Sequence, residues 1–298
     1  MYVKFFRKVG DVMKMKVSEI MTPNPICAKV PGTKRDVLRL LVKHNITGVP
    51  VVNEEEYLVG IVSRRDIFEH PEEEQLALLM RKDVPVVNVE DGVEDAARIM
   101  KRYGRRHLVV VDENKKVLGV ITPQDFLDVI IKRKISEPVE NFITKPCFPL
   151  HICTPLPVVF RAMSLTLLSA FPVVDDDGKL VGIVTDRDLF EKATVDMNVA
   201  ISELGLGDDE DSWNWEGLRN VMKLFYMEEK VNLPKIPVEE VMIRDPITIF
   251  SKSPIWEAAR IMKKNNFSQL PVRNTHDELI AMIFDSDLVL SLTGAEYE

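Results

Sequence analysis

The fold is decided by a seven-residue stretch, Gly182-Ile183-Val184-Thr185-Asp186-Arg187-Asp188, which the chain repeats. Two further clear versions start at Gly60 and Gly119. A fourth version starts at Ala281 and keeps the final Asp but lacks the Gly and the hydroxyl residue. In the three clear versions an apolar run leads into Ser/Thr-x-x-Asp, which predicts a strand that turns directly into a helix behind a hydroxyl N-cap. We expect a ligand of this protein to bind at these strand-to-helix corners.

The segments that contain these corners resemble one another along much more of their length. Aligned without gaps, they share one apolar position near the start and two positions on a helix. These positions are Ile20, Leu79, Phe142 and Val241; Val37, Ala96, Val159 and Ala258; and Leu41, Met100, Met163 and Met262. The four-residue spacing between the last two sets is typical of the buried face of an amphipathic helix.

A short apolar strand follows each helix, at residues 49–52, 108–111, 171–174 and 270–273, and a polar turn leads back into the corner. The sequence therefore predicts an α/β (α+β) fold of four β-α-β-β-α units. A unit of about 60 residues buries too little surface to be stable alone, so we expect the units to pair. The predicted divisions are a leader at 1–14, copy one at 15–73, copy two at 74–134, copy three at 135–195, an insert at 196–235 and copy four at 236–294.

Three motifs in a fixed order resemble those of the CBS domain family. They are Met-Thr-Pro-x-Pro-Ile at 21–26, Gly-Val-Pro-Val-Val at 48–52 and Gly-Ile-Val-Thr-Asp-Arg-Asp at 182–188. Four copies in one chain resemble the gamma subunit of AMP-activated protein kinase and archaeal four-CBS proteins. The resemblance implies that copies pair through their sheets into two Bateman modules, which pack into a disc with binding sites around a central axis.

Composition excludes several classes of protein. A chain of 298 residues with 46% hydrophobic and 29% charged residues is typical of a soluble globular protein, and its net charge of −8 argues against a general nucleic-acid binder. No apolar run is long enough to cross a bilayer, and the N-terminus does not resemble a signal peptide. Three cysteines without metal-ligand spacing predict a cytoplasmic protein with no metal site.

The chemistry of the corners allows two interpretations. The first N–H groups of a helix suit a phosphate, a cap hydroxyl can donate to a phosphate oxygen, and an Asp one turn later offers two acceptors to a ribose diol. The same Ser/Thr-x-x-Asp pattern is also a variant of the ordinary capping box, which needs no ligand. The motif alone leaves both interpretations open.

The resemblance assigns candidate ligand residues to each copy. It implies that the hydroxyl and Asp hold the phosphate and ribose of an adenosine compound, and that Arg or His before the second strand contacts phosphate. The candidates are Ile26, Thr47, Ser63 and Asp66 in copy one; Arg106, His107, Thr122 and Asp125 in copy two; Ser169, Thr185, Arg187 and Asp188 in copy three; and Asp287 in copy four. Because Phe284 replaces the hydroxyl in copy four, we expect Asp287 to bind weakly or not at all.

The sequence therefore predicts a regulatory protein, not an enzyme, that binds AMP, ADP, ATP or an S-adenosylmethionine-like compound and changes the packing of its modules. The alternative is an interaction scaffold whose corners are only capped helices. An apolar stripe in the insert predicts a helix at 213–230 that braces the fold, docks a partner or covers a ligand. A regulated protein partner and a homodimer stay open, whereas a membrane, nucleic acid or a cofactor is not expected.

Overall fold

The computed structural model describes residues 15–44, 46–63, 66–67, 70, 73–166, 168–185, 188–189 and 233–294. The leader and the predicted helix at 213–230 lie outside these ranges. Within them, every copy contains a short first strand, a helix and a two-stranded hairpin. The predicted α/β architecture of four copies is confirmed.

The elements of the four copies have the following bounds. Copy one contains β1 (Thr22–Pro23), β2 (Ala28–Lys29), α1 (Lys34–Lys43), β3 (Gly48–Val52) and β4 (Leu58–Ser63). Copy two contains α2 (Leu76–Leu79), β5 (Val86–Asn88), α3 (Val93–Tyr103), β6 (Leu108–Val111), β7 (Val117–Ile121) and α4 (Pro123–Arg133). Copy three contains β8 (Leu150–His151), α5 (Leu156–Thr166), β9 (Ala170–Val174) and β10 (Leu180–Thr185). Copy four contains β11 (Ile243–Arg244), β12 (Ile249–Phe250), α6 (Ile255–Asn265), β13 (Gln269–Arg273), β14 (Leu279–Phe284) and α7 (Asp285–Leu288). Short 3-10 turns lie at Val17–Glu19, Val139–Phe142, Val238–Glu240 and Val289–Leu292.

Helix α3 illustrates how local sequence defines these elements. Glu94 and Asp95 lie in its first turn and Lys101 and Arg102 in its last turn, so both ends complement the helix dipole. Gly104 ends the helix with a φ of 59°, a left-handed conformation that glycine adopts without strain. The two predicted stripe positions are buried in all four copies, at Val37, Leu41, Ala96, Met100, Val159, Met163, Ala258 and Met262.

The sheets follow one plan. In each copy the strand before the helix (β2, β5, β8 or β12) lies parallel to the strand after the helix, and that strand lies antiparallel to the returning, third strand. The third strand ends at the corner, so the corner residues all lie at the same edge of their sheets. The repeated sequence thus gives the strand that leads into the corner the same pairing in all four copies.

Each copy begins with a lead-in segment whose backbone pairs with the partner copy. We define the lead-in segments as residues 15–25, 74–84, 137–147 and 236–246. In copy one β1 pairs antiparallel with β7 of copy two, while Arg81 of copy two bridges Ile61 of copy one. In copy four β11 pairs in the same way with β10 of copy three. Copies one and two therefore form one interlocked module, and copies three and four form the second.

The glycine of the seven-residue stretch leaves room for the partner's lead-in segment, so that the two copies can exchange these segments. A Cβ built on Gly119 would lie 2.5 Å from Sδ of Met21, which belongs to the partner's lead-in segment. The same Cβ on Gly182 would lie 2.5 Å from Sδ of Met242. Copy four has Ala281 at this position, and the methionine facing it is replaced by an isoleucine, Ile143, which packs on the cluster that contains Ala281. A shorter, β-branched neighbour, which does not reach as far as the methionine sulfur, thus accompanies the loss of the glycine.

The two modules share a continuous apolar core between copies two and four. Helices α4 and α6 pack against each other, and the buried side chains Leu127, Ile130, Ala259 and Met262 belong to one cluster. A Lys263–Asp128 ion pair of 2.9 Å lies at the exposed margin of this contact. This contact brings the corner of copy four beside the corner of copy two.

Across the ranges that the structure describes, none of the helices has both the length and the apolar character needed to cross a membrane.

Candidate functional site

The predicted hydroxyl–Asp pairs are formed in copies one, two and three. In copy two, Oδ2 of Asp125 accepts hydrogen bonds from the backbone N–H of Thr122 at 2.7 Å and from its hydroxyl at 2.9 Å. Ser63 and Asp66 make the same two bonds at 2.7 and 2.6 Å. Thr185 and Asp188 make both at 2.7 Å. Each hydroxyl therefore donates to its own Asp in this structure, and it must turn away from the carboxylate to donate to a phosphate.

The second carboxylate oxygen distinguishes the copies. Oδ1 of Asp66 forms a 2.5 Å ion pair with Nε of Arg81, and Oδ1 of Asp287 accepts a 2.7 Å hydrogen bond from the hydroxyl of Thr144. Among the described residues, Oδ1 of Asp125 has no hydrogen-bond partner. Asp66 and Asp287 are each 3% exposed, whereas Asp125 is only half-buried. Copy two thus presents a reachable acceptor at its corner.

The environment of Asp125 makes its negative charge costly. Burial raises the pKa of Asp125, and the hydrogen bonds from Thr122 and the charge of Lys263 only partly oppose this effect. A carboxylate in such a place gains from any hydrogen-bond donor that reaches it. Ribose hydroxyls are donors of this kind.

The residues just before the strands that follow the helices, β3 and β6, connect neighbouring corners. The hydroxyl of Thr47 in copy one lies 2.6 Å from Nε2 of His107 in copy two, so these two candidates meet inside the first module. Arg106 instead reaches across to the second module. Its Nη1 and Nη2 donate to Oδ1 and Oδ2 of Asp285 at 2.9 and 2.8 Å, in the two-pronged geometry that arginine forms with carboxylates.

Asp285 is the residue of this site that the sequence did not predict. It is fully buried, and Nε2 of Gln124 also donates to its Oδ2 at 2.9 Å. Burial would lower the pKa of Arg106, but the charge and hydrogen bonds of Asp285 raise it on balance. The sequence does show that Asp285 is a charged residue directly after Phe284, which stands in the place of the hydroxyl residue. It does not show which copy Asp285 would face.

The corner of copy four is filled by the protein's own side chains. Nζ of Lys145 lies 4.3 Å from the centre of the Phe284 ring and 3.1 Å from Oγ of Ser286. Phe284 also packs in a small buried cluster with Ala170, Ile183 and Met282. The expectation that Asp287 binds weakly or not at all stays a prediction, and this filling favours it.

The remaining candidates occupy less connected positions. Ser169 and Ile26 are half-buried beside their strands, and Phe148, which aligns with Ile26, is 46% exposed. Arg187 lies outside the described residues. Among those residues, no group of three or more His, Cys, Asp or Glu side chains could hold a metal ion.

The protein is a repeat protein of two modules, each built from two paired copies, and hydroxyl–Asp pairs recur at its corners. Comparison with known sequences gives its family. The sequence model of the CBS domain matches residues 17–73, 75–132, 139–194 and 238–294, so the chain belongs to the CBS domain family. A conserved uncharacterized protein from Pyrococcus horikoshii, of known crystal structure, is 31% identical, with a TM-score of 0.67 over 93% of this chain and 100% of its own.

Two proteins from Methanocaldococcus jannaschii are also similar. Protein MJ1225 has the same fold, with a TM-score of 0.66 and 20% identity over 93% of this chain and 99% of its own. The uncharacterized protein MJ1232 is 36% identical over 125 residues, which are 41% of this chain and 39% of that protein. The chain spans 39% and 50% of the lengths of the first two curated relatives that it matches.

Proposed function

We propose that this protein is a regulatory sensor that binds an adenosine-containing ligand at its strand-to-helix corners and thereby changes how its two modules pack. The observation that carries the proposal is Asp125, a half-buried carboxylate whose Oδ1 has no partner among the described residues. A vicinal diol can satisfy this oxygen. The membership in the CBS domain family supports the choice of an adenosyl compound such as AMP, ADP, ATP or S-adenosylmethionine.

A phosphate at the same corner is favoured by two features. Helix α4 begins directly behind Thr122 and directs the positive end of its dipole at the corner. Arg106, whose side chain is half-exposed, lies at the position that the resemblance assigns to phosphate contact. A nucleotide phosphate would take hydrogen bonds from Arg106 and from the cap hydroxyl.

The coupling to module packing follows from the partner that Arg106 already has. Because Arg106 is paired with the buried Asp285 of the other module, a phosphate competes with Asp285 for the same guanidinium. Release of Asp285 weakens the packing between copies two and four. The ligand biases this packing only by the difference between its affinities for the two arrangements, which is the limit for every allosteric effector.

We further propose that the chain acts without an enzymatic activity of its own. The four family matches occupy most of the sequence, and no catalytic set was found in it. We also propose that the change in module packing alters the binding of a protein partner or the self-association of the chain.

Calorimetric titration of the protein with AMP, ADP, ATP and S-adenosylmethionine tests the proposal. We expect at least one of them to bind, and to raise the free energy of unfolding by about 2.7 kcal/mol at 100 times its dissociation constant. No heat and no stabilisation with any of the four would contradict it.

The scaffold alternative is favoured by one observation, namely that the corner hydroxyls and Asp residues already make cap hydrogen bonds. Deletion of residues 205–233 distinguishes the two functions. Loss of a protein partner with unchanged nucleotide binding would support a scaffold, whereas loss of neither would leave the corners as the functional sites.

A further inference from the structure

The two corners of the first module are related by the exchange of lead-in segments, which places one residue of each segment beside the partner's corner. Arg81 bridges Ile61 in copy one, and Thr22 pairs with Val120 at the matching register in copy two. Arg81 and Thr22 therefore occupy equivalent register positions next to the strands that lead to Asp66 and Asp125. Arg81 is charged and contacts its Asp, whereas Thr22 is neutral and makes no hydrogen bond to Asp125 among the described residues.

Arg81 engages the oxygen of Asp66 that a ribose would need. Its Nε lies 2.5 Å from Oδ1, while Oδ2 of Asp66 already accepts the N–H and the hydroxyl of Ser63. Nη1 of Arg81 is buried and has no hydrogen-bond partner among the residues that the structure describes. A ligand that enters this corner meets a cationic donor, whereas a ligand at Asp125 meets an acceptor.

The second module repeats the arrangement with other residues. In copy four, Thr144 and Lys145 of the partner's lead-in segment lie 2.7 and 3.6 Å from Oδ1 of Asp287. In copy three, the equivalent neighbour is Ile243, which pairs with Ile183 and has no hydrogen-bonding side chain. Among the described residues, a lead-in side chain thus hydrogen-bonds Asp66 and Asp287, and no lead-in side chain hydrogen-bonds Asp125.

We propose that Arg81 is a selectivity residue: its ion pair with Asp66 prevents a ligand from binding to that carboxylate. The first module then binds one adenosyl ligand, at Asp125 and not at Asp66. This inference rests on the proposed function, because it concerns which corner the same ligand class occupies. Ser63 and Asp66 then serve as a structural cap. The module is a one-site sensor built from two similar copies.

Exchange of the two lead-in residues tests the inference in the full-length chain. Arg81→Thr gives the corner of copy one the neighbour that the corner of copy two has, and Thr22→Arg gives the corner of copy two the neighbour that the corner of copy one has. AMP, ADP, ATP and S-adenosylmethionine are titrated calorimetrically into the wild type and both variants. We expect Arg81→Thr to gain one site per chain and Thr22→Arg to lose one, or to bind at least about tenfold more weakly at that site, which is 1.4 kcal/mol.

The outcomes separate this inference from the proposed function. Unchanged stoichiometry in both variants, with ligand bound by the wild type, overturns the role of Arg81 and leaves the sensor intact. Thr22 is exposed, so Thr22→Arg is expected to fold even if Arg81→Thr does not, and retained affinity in Thr22→Arg alone overturns the inference. Binding to Arg81→Thr but not to the wild type supports the inference that Arg81 blocks Asp66 and refutes the proposed sensor function. No binding to any of the three proteins refutes the inference and the proposed function together.

Discussion

Removal of Arg106 is the most informative perturbation of the contact between the modules. Arg106→Ala leaves Asp285, which is fully buried, with Gln124 as its remaining side-chain donor. Breaking a buried pair costs about 3–5 kcal/mol, and an exposed pair contributes about 0.2–1 kcal/mol. The Arg106 side chain is 49% exposed, so solvent screens part of the interaction. We expect a loss of about 2 kcal/mol in the free energy of unfolding, within the range for hydrogen bonds to charged groups.

Urea denaturation followed by circular dichroism measures this loss, and a second variant isolates the pair itself. In Arg106→Ala/Asp285→Ala no buried charge is left behind, so the double variant should lose less than the sum of the single variants. Arg98→Ala is the matched control, because Arg98 forms a 2.5 Å pair with Asp95 in which both side chains are about half-exposed. Its expected cost is below about 1 kcal/mol. Equal losses in Arg106→Ala and Arg98→Ala, or strict additivity in the double variant, would refute the reasoning.

Three further predictions concern single positions. Asp125→Asn keeps an acceptor for both cap hydrogen bonds. Because burial raises the pKa of Asp125, the stability that this carboxyl contributes is present at acidic pH and is lost as the pH rises past that pKa. The variant should therefore unfold no more easily than the wild type at pH 7 while its adenosyl affinity falls, and a clear loss of stability at pH 7 would oppose this. Gly182→Ala should cost about 1–3 kcal/mol in the free energy of unfolding by overpacking against Met242, and adding Met242→Ile should recover part of it in a denaturation series; a neutral Gly182→Ala contradicts the steric argument. Burial raises the pKa of the Cys27 thiol to about 11, so iodoacetamide at pH 8 should modify the exposed Cys153 well before Cys27, as peptide mass spectrometry will show; equal rates would be inconsistent with that pKa.

The repeat itself was predictable because it depends on short-range patterns. The spacing of Val37 and Leu41, and of their counterparts, defines a helix face without knowledge of its neighbours. The strand that ends at Ser63 follows from an apolar run bounded by a turn. Both features are local, and the structure reproduces them in every copy.

The contacts between copies were not predictable, because they depend on which copies face each other. Gly119 is visible in the sequence as part of a motif, but the need for a glycine there comes from the approach of Met21 of another copy, which is a long-range property. The same holds for Arg81, which reads as an ordinary surface arginine until its lead-in segment is placed beside Asp66. Nothing in the sequence singles out Asp285, because the corner of copy four lacks the hydroxyl, although that corner supplies the partner of Arg106. The sequence thus predicts each corner, and the packing decides what each corner can bind.

The exchanged lead-in segments also determine the order in which a nascent chain can complete its parts. The returning strand of copy one, at Ile61, has an open edge until Arg81 of copy two leaves the ribosome. The returning strand of copy three, at Ile183, must wait until the whole insert has been made and Ile243 arrives. Because an uncovered strand edge is a site for pairing with other chains, a protein truncated within the insert should aggregate, whereas one that ends after copy two carries both halves of its own interlock.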